Sequence, residues 1–353
     1  MFNSSDKVHC RALCGEDGVV QKITVYCVMR GGDILLALPS DPDVALATLR
    51  LYQPQAVKAK AFVYLVTWLI RMRLHWLLPK MILEIGEEGP LCSITQDYKN
   101  VGFMLGNPKA VYRRSIIVER TVDGFVVVKL GVGKDASETV ALEAKIIKSL
   151  PKNLIGIEHL LGSGVNAGWA YYKTSYIWGR APSRNQDSHV INLLHEWMNS
   201  GSFSPLKQML QWNELIEFAN QNNVPNLWAS LSRASELNIK ECVFHGDFTP
   251  WNIKVSDDSK MLVMDWEYGN ARGPAGWDWL HYMIQRSVLV SKLSPGETLN
   301  ACRAWAEKDE GQKFLADAGW GYEVELWIGT YLVYSSWITG FDREELILEW
   351  IGK

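Results

Sequence analysis

The spacing of hydrophobic positions changes along the chain and divides it into three stretches. Residues 99–178 alternate or run apolar over segments of strand length, whereas residues 179–353 repeat apolar positions mostly at helical spacing. Residues 1–98 combine a short helix predicted at 41–50, with an acid at its start, and a very apolar helical segment at 55–78. The pattern therefore predicts an extension, a strand-rich domain and a helix-rich domain with these limits.

The middle stretch predicts a small antiparallel sheet with one helix. Asp123-Gly124 is a strong hairpin signal because it stands between two β-prone runs. Strands are predicted at 99–105, 110–121, 125–133 and 171–177, and an amphipathic helix at 137–150 with Ser137 as its cap.

The last stretch is mostly helical. Helices are predicted at 189–199, 205–221, 225–238, 276–293, 298–316 and 323–352. Two short strands, 240–244 and 260–264, are expected to form a hairpin around the segment FHGDFTPWNI at 244–253. A polar loop between two apolar strands favours a functional role for this segment.

Composition excludes several classes of protein. The chain has 353 residues, of which 48% are apolar and 21% charged, so it can bury a large core. Its net charge of −3 argues against nucleic acid as a partner. The start shows no basic segment leading into an apolar one, so no secretory signal is expected. The six cysteines contain no CxxC pair and indicate reduced thiols, which favours a cytoplasmic protein.

Four residues near the start raise the alternative of a zinc site. They are His9, Cys10, Cys14 and Cys27. Their spacing fits no common zinc pattern, so ordinary packing is favoured.

The segment at 244–253 matches the template H-x-D-x-x-x-x-N through His245, Asp247 and Asn252. Thirteen residues after Asn252 comes Asp265, at the end of the next apolar strand. A neutral amide oxygen and an anionic carboxylate are ligands that suit Mg²⁺. The spacing therefore predicts phosphoryl-transfer chemistry, with Asp247 near the attacking hydroxyl.

Lys129 lies in the apolar strand FVVVKLGV, where a lysine is costly unless it is paired or reaches a phosphate. Glu143 on the following helix is its predicted partner, and Glu138 is the alternative. Kinases place a strand lysine and a helix glutamate in this order.

The motifs HGDFTPWN, MDWE and PAGWDWLHY resemble those of the aminoglycoside phosphotransferase and choline kinase family, the small-molecule branch of the protein-kinase-like fold. The resemblance covers roughly residues 99–353 and does not extend over 1–98. It implies an α+β, bilobal fold with an antiparallel-sheet N-lobe and a mostly helical C-lobe, here with an additional N-terminal α/β extension. It also implies Mg²⁺-dependent transfer of a phosphoryl group from ATP or GTP to a hydroxyl of a small molecule.

The resemblance assigns roles residue by residue. Asp247 would be the base or the orienting group for the acceptor hydroxyl, Asn252 and Asp265 would hold Mg²⁺, and Lys129 would contact the α- and β-phosphates. His245 would support the loop, and Asp278 would brace it or only cap its own helix. The hinge that pairs with the purine would be Ser175, Tyr176, Ile177 and Trp178.

Two positions depart from the family pattern. No GxGxxG precedes Lys129, and the backbone at Gly106 or the side chain of Lys109 are the remaining candidates for phosphate contact. Glu267, two residues after Asp265, is either a further acid beside the metal or a cap on the next segment.

The acceptor is predicted less directly. Four tryptophans near the motifs offer faces for a cation or a sugar: Trp251, Trp266, Trp277 and Trp279. Trp251, Glu267 and Trp277 are the candidate acceptor-site residues. The favoured acceptor is a sugar or glycan in a biosynthetic pathway, and the alternative is an aminoglycoside, choline or ethanolamine. A nucleotide-binding pseudokinase scaffold is the alternative from another class.

Residues 55–80 carry five basic side chains and no acid beside a broad apolar face. The basic residues are Lys58, Lys60, Arg71, Arg73 and Lys80. A helix packed on the small lobe or in a homodimer is favoured, and the alternatives are a docking site for a partner and a peripheral helix on an anionic membrane. The membrane alternative would place the protein at the inner membrane surface.

Overall fold

The computed structural model describes residues 4–15, 18–54, 57–97, 100–107, 112–157, 159–222, 232–338 and 344–351. The chain forms two compact units. The first, here the sheet unit, comprises Met1–Lys148 and Glu158–Trp178, and the second, the helical unit, comprises Ser149–Ile157 and Gly179–Lys353. The predicted α+β class, with one unit built on an antiparallel sheet and one mostly helical, is confirmed.

The sheet unit is built on one eight-stranded antiparallel sheet. Its strands are β1 (Val19–Arg30), β2 (Asp33–Leu38), β3 (Lys80–Gly86), β4 (Val101–Leu105), β5 (Arg114–Thr121), β6 (Gly124–Val132), β7 (Leu160–Asn166) and β8 (Trp169–Ser175). Their order across the sheet is β3-β1-β2-β4-β5-β6-β8-β7.

The predicted boundary between residues 98 and 99 does not separate two domains. Strand β2 pairs with β4 through Leu36 and Met104, so residues of the predicted extension belong to the same sheet as the rest of the unit. Such pairing between distant strands is set by tertiary contacts that a local pattern does not contain. The sequence reading also missed strands β1, β2, β3 and β7.

Helices cover both faces of this sheet near its first strands. They are α1 (Ser4–Cys14), α2 (Pro42–Leu49), α3 (Val57–Arg71) and α4 (Pro90–Ile94). One face packs Cys10 and Cys14 against Cys27 and other side chains of the strands, and the other packs Val66 and Ile70 of α3 against β1 and β2. Burial raises the pKa of the Cys14 thiol to about 12, so it stays protonated. His9 contacts the Ser115 hydroxyl at 2.8 Å through Nε2.

Local chemistry explains two helix starts. As predicted, an acid caps α2: the Asp41 carboxylate accepts the N–H of Asp43 at 2.8 Å and of Val44 at 3.2 Å. Pro42 occupies the first position of the helix. Helix α5 (Lys134–Ser149) instead begins earlier than predicted. Ser137 is not its cap, because its N–H already donates to the carbonyl of Gly133 and its hydroxyl donates to Lys134.

The helical unit contains helices and two small sheets. Its helices are α6 (Asp187–Asn199), α7 (Leu210–Asn222), α8 (Trp277–Gln285), α9 (Pro295–Ala306), α10 (Asp309–Ala318), α11 (Val324–Ile338) and α12 (Glu344–Ile351). Its strands are β9 (Ser202–Pro205), β10 (Asn238–Phe244), β11 (Ile253–Val255), β12 (Met261–Val263) and β13 (Asn270–Pro274). The predicted helix 298–316 is divided into α9 and α10, and the described parts of the predicted helix 323–352 are α11 and α12. Half of the predicted helix 225–238, residues 225–231, lies outside the described residues.

The predicted hairpin around the polar segment is wrong in its pairing. Strand β10 pairs with β9 and β13, whereas β12 pairs with β11. Strand β11 was not predicted. The segment at 244–253 therefore connects two separate sheets. This fixes both of its ends in ladder hydrogen bonds and positions the polar side chains between them.

Candidate active site

Buried aromatic side chains anchor the loop after β10. Phe244 and Phe248 are buried, and Phe248 contacts the rings of Trp197 and His245. Gly246 between them has a φ of +80°, and a Cβ there would lie 2.6 Å from the carbonyl oxygen of Tyr268. Glycine is thus required, and the polar side chains on either side of it are held in fixed directions.

Asp278 of helix α8 braces the loop from below. Its carboxylate accepts the N–H of His245 at 2.8 Å and of Gly246 at 3.0 Å. Burial and, to a smaller extent, the nearby Asp247 charge together raise the pKa of Asp278 to about 7, against the lowering effect of the two N–H groups. The bracing alternative for Asp278 is therefore the one that the geometry shows.

His245 links the loop to the residue before Asp265. Its Nδ1 accepts the N–H of Asp247 at 3.2 Å, so Nε2 carries the proton and donates to the carbonyl of Met264 at 2.9 Å. The N–H of Met264 in turn donates to the carbonyl of Asn252 at 2.8 Å. Met264 is thus held by both of its main-chain groups, which places Asp265 beside the end of the loop.

Asn252 ends a 3₁₀ turn that Pro250 opens, a position where proline loses no hydrogen bond. Its Nδ2 donates to the Asp247 carbonyl at 2.9 Å and to Asp247 Oδ2 at 3.0 Å. This orientation turns the amide oxygen Oδ1 away from Asp247. Asp265 has a φ of +69°, an uncommon conformation for a residue other than glycine and one found at functional sites.

The donor set fits Mg²⁺. Asn252 offers an amide oxygen and Asp265 a carboxylate, and Mg²⁺ commonly takes one or two protein oxygens while it keeps water and phosphate ligands. Among the described residues no group of three or more His, Cys, Asp or Glu side chains is placed to hold a metal. An ion held by these two oxygens would take water and phosphate oxygens as its remaining ligands.

Sequence reasoning missed His281, which contacts Asp247 directly. Its Nε2 lies 2.9 Å from Asp247 Oδ1 and, facing a carboxylate, must donate. Its Nδ1 contacts the hydroxyl of Tyr331, and both rings are buried. Asp278 and His281 are three residues apart on α8 and so lie on one face of the helix, where both hold the loop. That spacing in WDWLHY was the available sequence signal.

In the sheet unit, Lys129 of β6 pairs with Glu143 of α5. Their side chains lie 2.9 and 2.7 Å apart through the two carboxylate oxygens, and both residues are buried. The hydroxyl of Tyr172 donates to Glu143 Oε1 at 2.9 Å. Glu138, the alternative partner, is exposed.

Of the two predicted phosphate contacts, one is contradicted and the other is not described by the structure. The N–H of Gly106 donates to the carbonyl of Arg114 at 2.9 Å, and its carbonyl accepts from Arg113 Nε at 2.9 Å. The backbone of Gly106 is therefore already used within the sheet unit and is withdrawn as a phosphate ligand. Lys109 lies outside the described residues.

The predicted hinge residues have unequal roles. Ser175 ends strand β8, and Tyr176 donates its N–H to Phe125 at 3.0 Å and its hydroxyl to Ala47 at 2.9 Å. Ile177 makes no main-chain hydrogen bond within the described part of the chain. Trp178 packs on the rings of Phe125 and Tyr176.

The predicted acceptor residues divide into buried and accessible groups. Trp277 is fully buried and packs on Tyr334 at a ring distance of 4.8 Å, so its assignment to the acceptor site is wrong. Trp266 and Trp279 are also buried. Trp251 and Glu267 are partly exposed.

No protein-family model matches the chain, and no curated protein matches it. Solved structures do. Choline kinase LicA from Streptococcus pneumoniae is 14% identical with a TM-score of 0.44, and the match covers 67% of this chain and 89% of that one. A thermostable mutant of aminoglycoside phosphotransferase APH(4)-Ia, in a ternary complex with ADP and hygromycin B, is 13% identical with a TM-score of 0.43 and coverages of 70% and 90%.

A third similar structure is aminoglycoside phosphotransferase APH(3'')-Id from Streptomyces rimosus, 16% identical with a TM-score of 0.38 and coverages of 63% and 90%. The chain is thus similar to solved structures of both groups that its sequence motifs resemble. At these identities and TM-scores the similarity carries no information about activity or substrate.

Replacing His281 with Gln is expected to lower kcat by ~10–10² because Asp247 loses the ring that fixes its Oδ1. Nucleotide affinity and the free energy of unfolding should change little by comparison. Steady-state kinetics and urea unfolding measure the three quantities. The exposed His189→Gln is the matched control, and an equal loss in both variants would refute the positioning role.

Stability should depend on the ionisation of Asp278. Its pKa is raised in the folded state, so its stabilising contribution is complete below about pH 4 and is lost as the pH rises through about 7. The Asp278→Asn variant should lack this pH-dependent part of the free energy of unfolding, whose slope is at most ~1.4 kcal/mol per pH unit. Urea unfolding across this range measures it, with the exposed Asp257→Asn as control. Equal pH slopes for wild type and Asp278→Asn would contradict the burial effect.

Proposed function

We propose that the protein transfers the γ-phosphoryl group of ATP or GTP to a hydroxyl of a small molecule. One observation carries this proposal: Met264 is hydrogen bonded through both main-chain groups to the loop of Asp247 and Asn252, so a base and two oxygen ligands are held together. Phosphoryl transfer requires this set, because most of its catalysis is positioning and charge stabilisation.

Each residue then has a defined task. Asp247 accepts the proton of the acceptor hydroxyl while the hydroxyl oxygen bonds to the γ-phosphorus. The bond from the γ-phosphorus to the oxygen that bridges it to the β-phosphorus breaks, which releases the nucleoside diphosphate. His281 and Asn252 fix the orientation of the Asp247 carboxylate. Within the sheet unit, Glu143 and Tyr172 hold Lys129 ready to contact phosphate oxygens.

A divalent cation fits Asn252 Oδ1 and the Asp265 carboxylate. When bound there, Mg²⁺ neutralises charge on the transferred phosphoryl group. The protein's own part is to hold these two oxygens at fixed positions, which the hydrogen bonds of Met264 achieve.

The acceptor we favour is a sugar or glycan. An aromatic cage for a quaternary ammonium group needs several accessible rings, and three of the four tryptophans near the motifs are buried. Trp251 is partly exposed and Tyr268 is exposed, and aromatic faces of this kind also stack on sugar rings. Aminoglycosides and amino alcohols remain the acceptors to compare.

This proposal is tested by measuring the release of nucleoside diphosphate in the presence of Mg²⁺ and one acceptor pool at a time. Nucleoside diphosphate release should rise with a pool of sugars and glycans more than with amino alcohols or aminoglycosides. A response confined to choline or ethanolamine would overturn the acceptor assignment but keep the transferase. Tight nucleotide binding without turnover in any pool would favour a pseudokinase scaffold instead.

A further inference from the structure

Helix α3 exposes an apolar stripe where a surface helix normally carries polar residues. Val66 and Ile70 are fully buried against the sheet. At 3.6 residues per turn, Val57, Trp68 and Met72 lie on the opposite face. These three side chains are 81%, 49% and 56% exposed, so the packed face of this helix is not its only apolar face.

Tyr64 and Leu65 widen this stripe and are 78% and 51% exposed. The sequence favours a helix that packs on the small lobe or in a homodimer over a helix on a membrane. Within the described residues, however, only Val66 and Ile70 of α3 are fully buried, so packing on the sheet accounts for a small part of its apolar surface.

The exposed apolar surface continues beyond the helix onto the same side of the sheet. Along β1, Tyr26 and Val28 face α3, whereas Val25 and Cys27 face α1, because successive strand residues point to opposite sides. On β3, Leu83 packs on the α1 side, which leaves Lys80 and Ile82 on the α3 side. Ile82 is exposed, as are Trp76 and Leu77 of the short 3₁₀ turn that follows α3.

The turn is fixed over the same side of the sheet. The ring of His75 contacts that of Tyr26 edge-on at a distance of 5.3 Å. We call the exposed residues of α3, this turn and β3 the apolar face. Its members are Val57, Phe62, Tyr64, Leu65, Trp68, Met72, Trp76, Leu77 and Ile82.

Charge decides what covers this face. The sequence from Val44 to Leu83 contains no acidic residue, although the whole chain carries a net charge of −3. The basic residues around the face are all exposed: Lys58, Lys60, Arg71, Arg73 and Lys80. Two tryptophans and a tyrosine among cations are typical of a surface that enters the headgroup region of an anionic bilayer.

A second copy of the chain fits this face less well. In a twofold contact the same segment meets itself, so its cations would face one another. Residues 44–83 contain no carboxylate, and the next residue of β3, Glu84, is already paired with Lys22 at 2.6 Å, so such a contact would bring together like charges.

We infer that the apolar face binds the surface of an anionic lipid bilayer. The stripe of α3 and Trp76 would lie among the headgroups and upper acyl chains, with the flanking lysines and arginines on lipid phosphates. The contact is peripheral, because among the described residues no helix is long and apolar enough to cross a membrane. This inference does not depend on the proposed phosphotransferase activity.

Flotation of the full-length protein with vesicles tests the inference. Binding should be strong to phosphatidylcholine vesicles that contain roughly one third phosphatidylglycerol, weak to phosphatidylcholine alone, and reduced by salt. Trp68→Ser with Met72→Ser should weaken binding about tenfold or more, because two large apolar side chains are lost from the contact. Lys60→Glu with Arg71→Glu should abolish the preference for anionic lipid.

The matched control is Tyr322→Ser with Leu348→Ser, which changes two exposed apolar residues of the helical unit. It should bind vesicles as the wild type does, and urea unfolding should show all variants folded. Absence of vesicle binding by the wild type would overturn the inference. So would a concentration-dependent dimer that the Trp68→Ser, Met72→Ser variant abolishes, since a second copy would then cover the face.

Discussion

Replacing Asp247 with Asn is expected to lower kcat by ~10²–10⁴ while nucleotide affinity stays close to that of the wild type. An amide cannot accept the proton of the acceptor hydroxyl, and its NH₂ group would face either His281 or Asn252, both of which donate to the native carboxylate. Steady-state turnover and equilibrium titration with nucleotide give the two quantities.

Asp257→Asn, an exposed change a short distance along the chain, is the matched control and should leave both quantities unaltered. A loss of nucleotide affinity in Asp247→Asn with kcat preserved would mean that Asp247 binds the nucleotide and is not the base.

The second large effect is expected at Lys129. Lys129→Met leaves the fully buried Glu143 carboxylate without its cation, and removal of one member of a buried ion pair typically costs ~3–5 kcal/mol of unfolding free energy. Urea unfolding measures this loss. Nucleotide affinity should fall as well, because Lys129 is the proposed phosphate contact.

A double variant separates the two roles of Lys129. In Lys129→Met with Glu143→Met both charges are removed, and the apolar pair should recover most of the lost stability. It should not recover nucleotide affinity. If the double variant binds nucleotide as tightly as the wild type, then Lys129 is only a structural partner of Glu143.

The parts of the site that the sequence predicted are those encoded within short segments. His245, Asp247 and Asn252 stand at fixed spacing in one loop, and Lys129 and Glu143 stand on a consecutive strand and helix. Their elements were legible from local apolar periodicity. The Asp41 cap was legible for the same reason, because the group and the N–H donors it binds are neighbours in sequence.

The rest depends on contacts between distant segments. His281 meets Asp247 across 34 residues, and nothing at either position alone distinguishes it from a core histidine. Strand β11 spans only three residues and is a strand because β12 lies beside it. Trp277 is buried because Phe244, Tyr331 and Tyr334 surround it, which no property of its own segment required.

Helix α3 was predicted as a helix, but the sequence did not show which of its faces packs on the sheet. Its apolar periodicity indicates a helix packed on the small lobe or in a homodimer but does not specify which face packs inward. Only the positions of Val66 and Ile70 on the sheet identify the packed face and leave Trp68 and Met72 outside.

Transfer of a phosphoryl group by this chain is tested most directly by following the γ-phosphate of labelled ATP, and in parallel of labelled GTP. The reaction contains Mg²⁺ and the sugar and glycan pool, with wild type and Asp265→Asn side by side. Wild type should move the label to an acceptor, or slowly to water without one, and Asp265→Asn should do so far more slowly. If the label stays on the bound nucleotide with every acceptor, for both ATP and GTP, the protein is not a phosphotransferase.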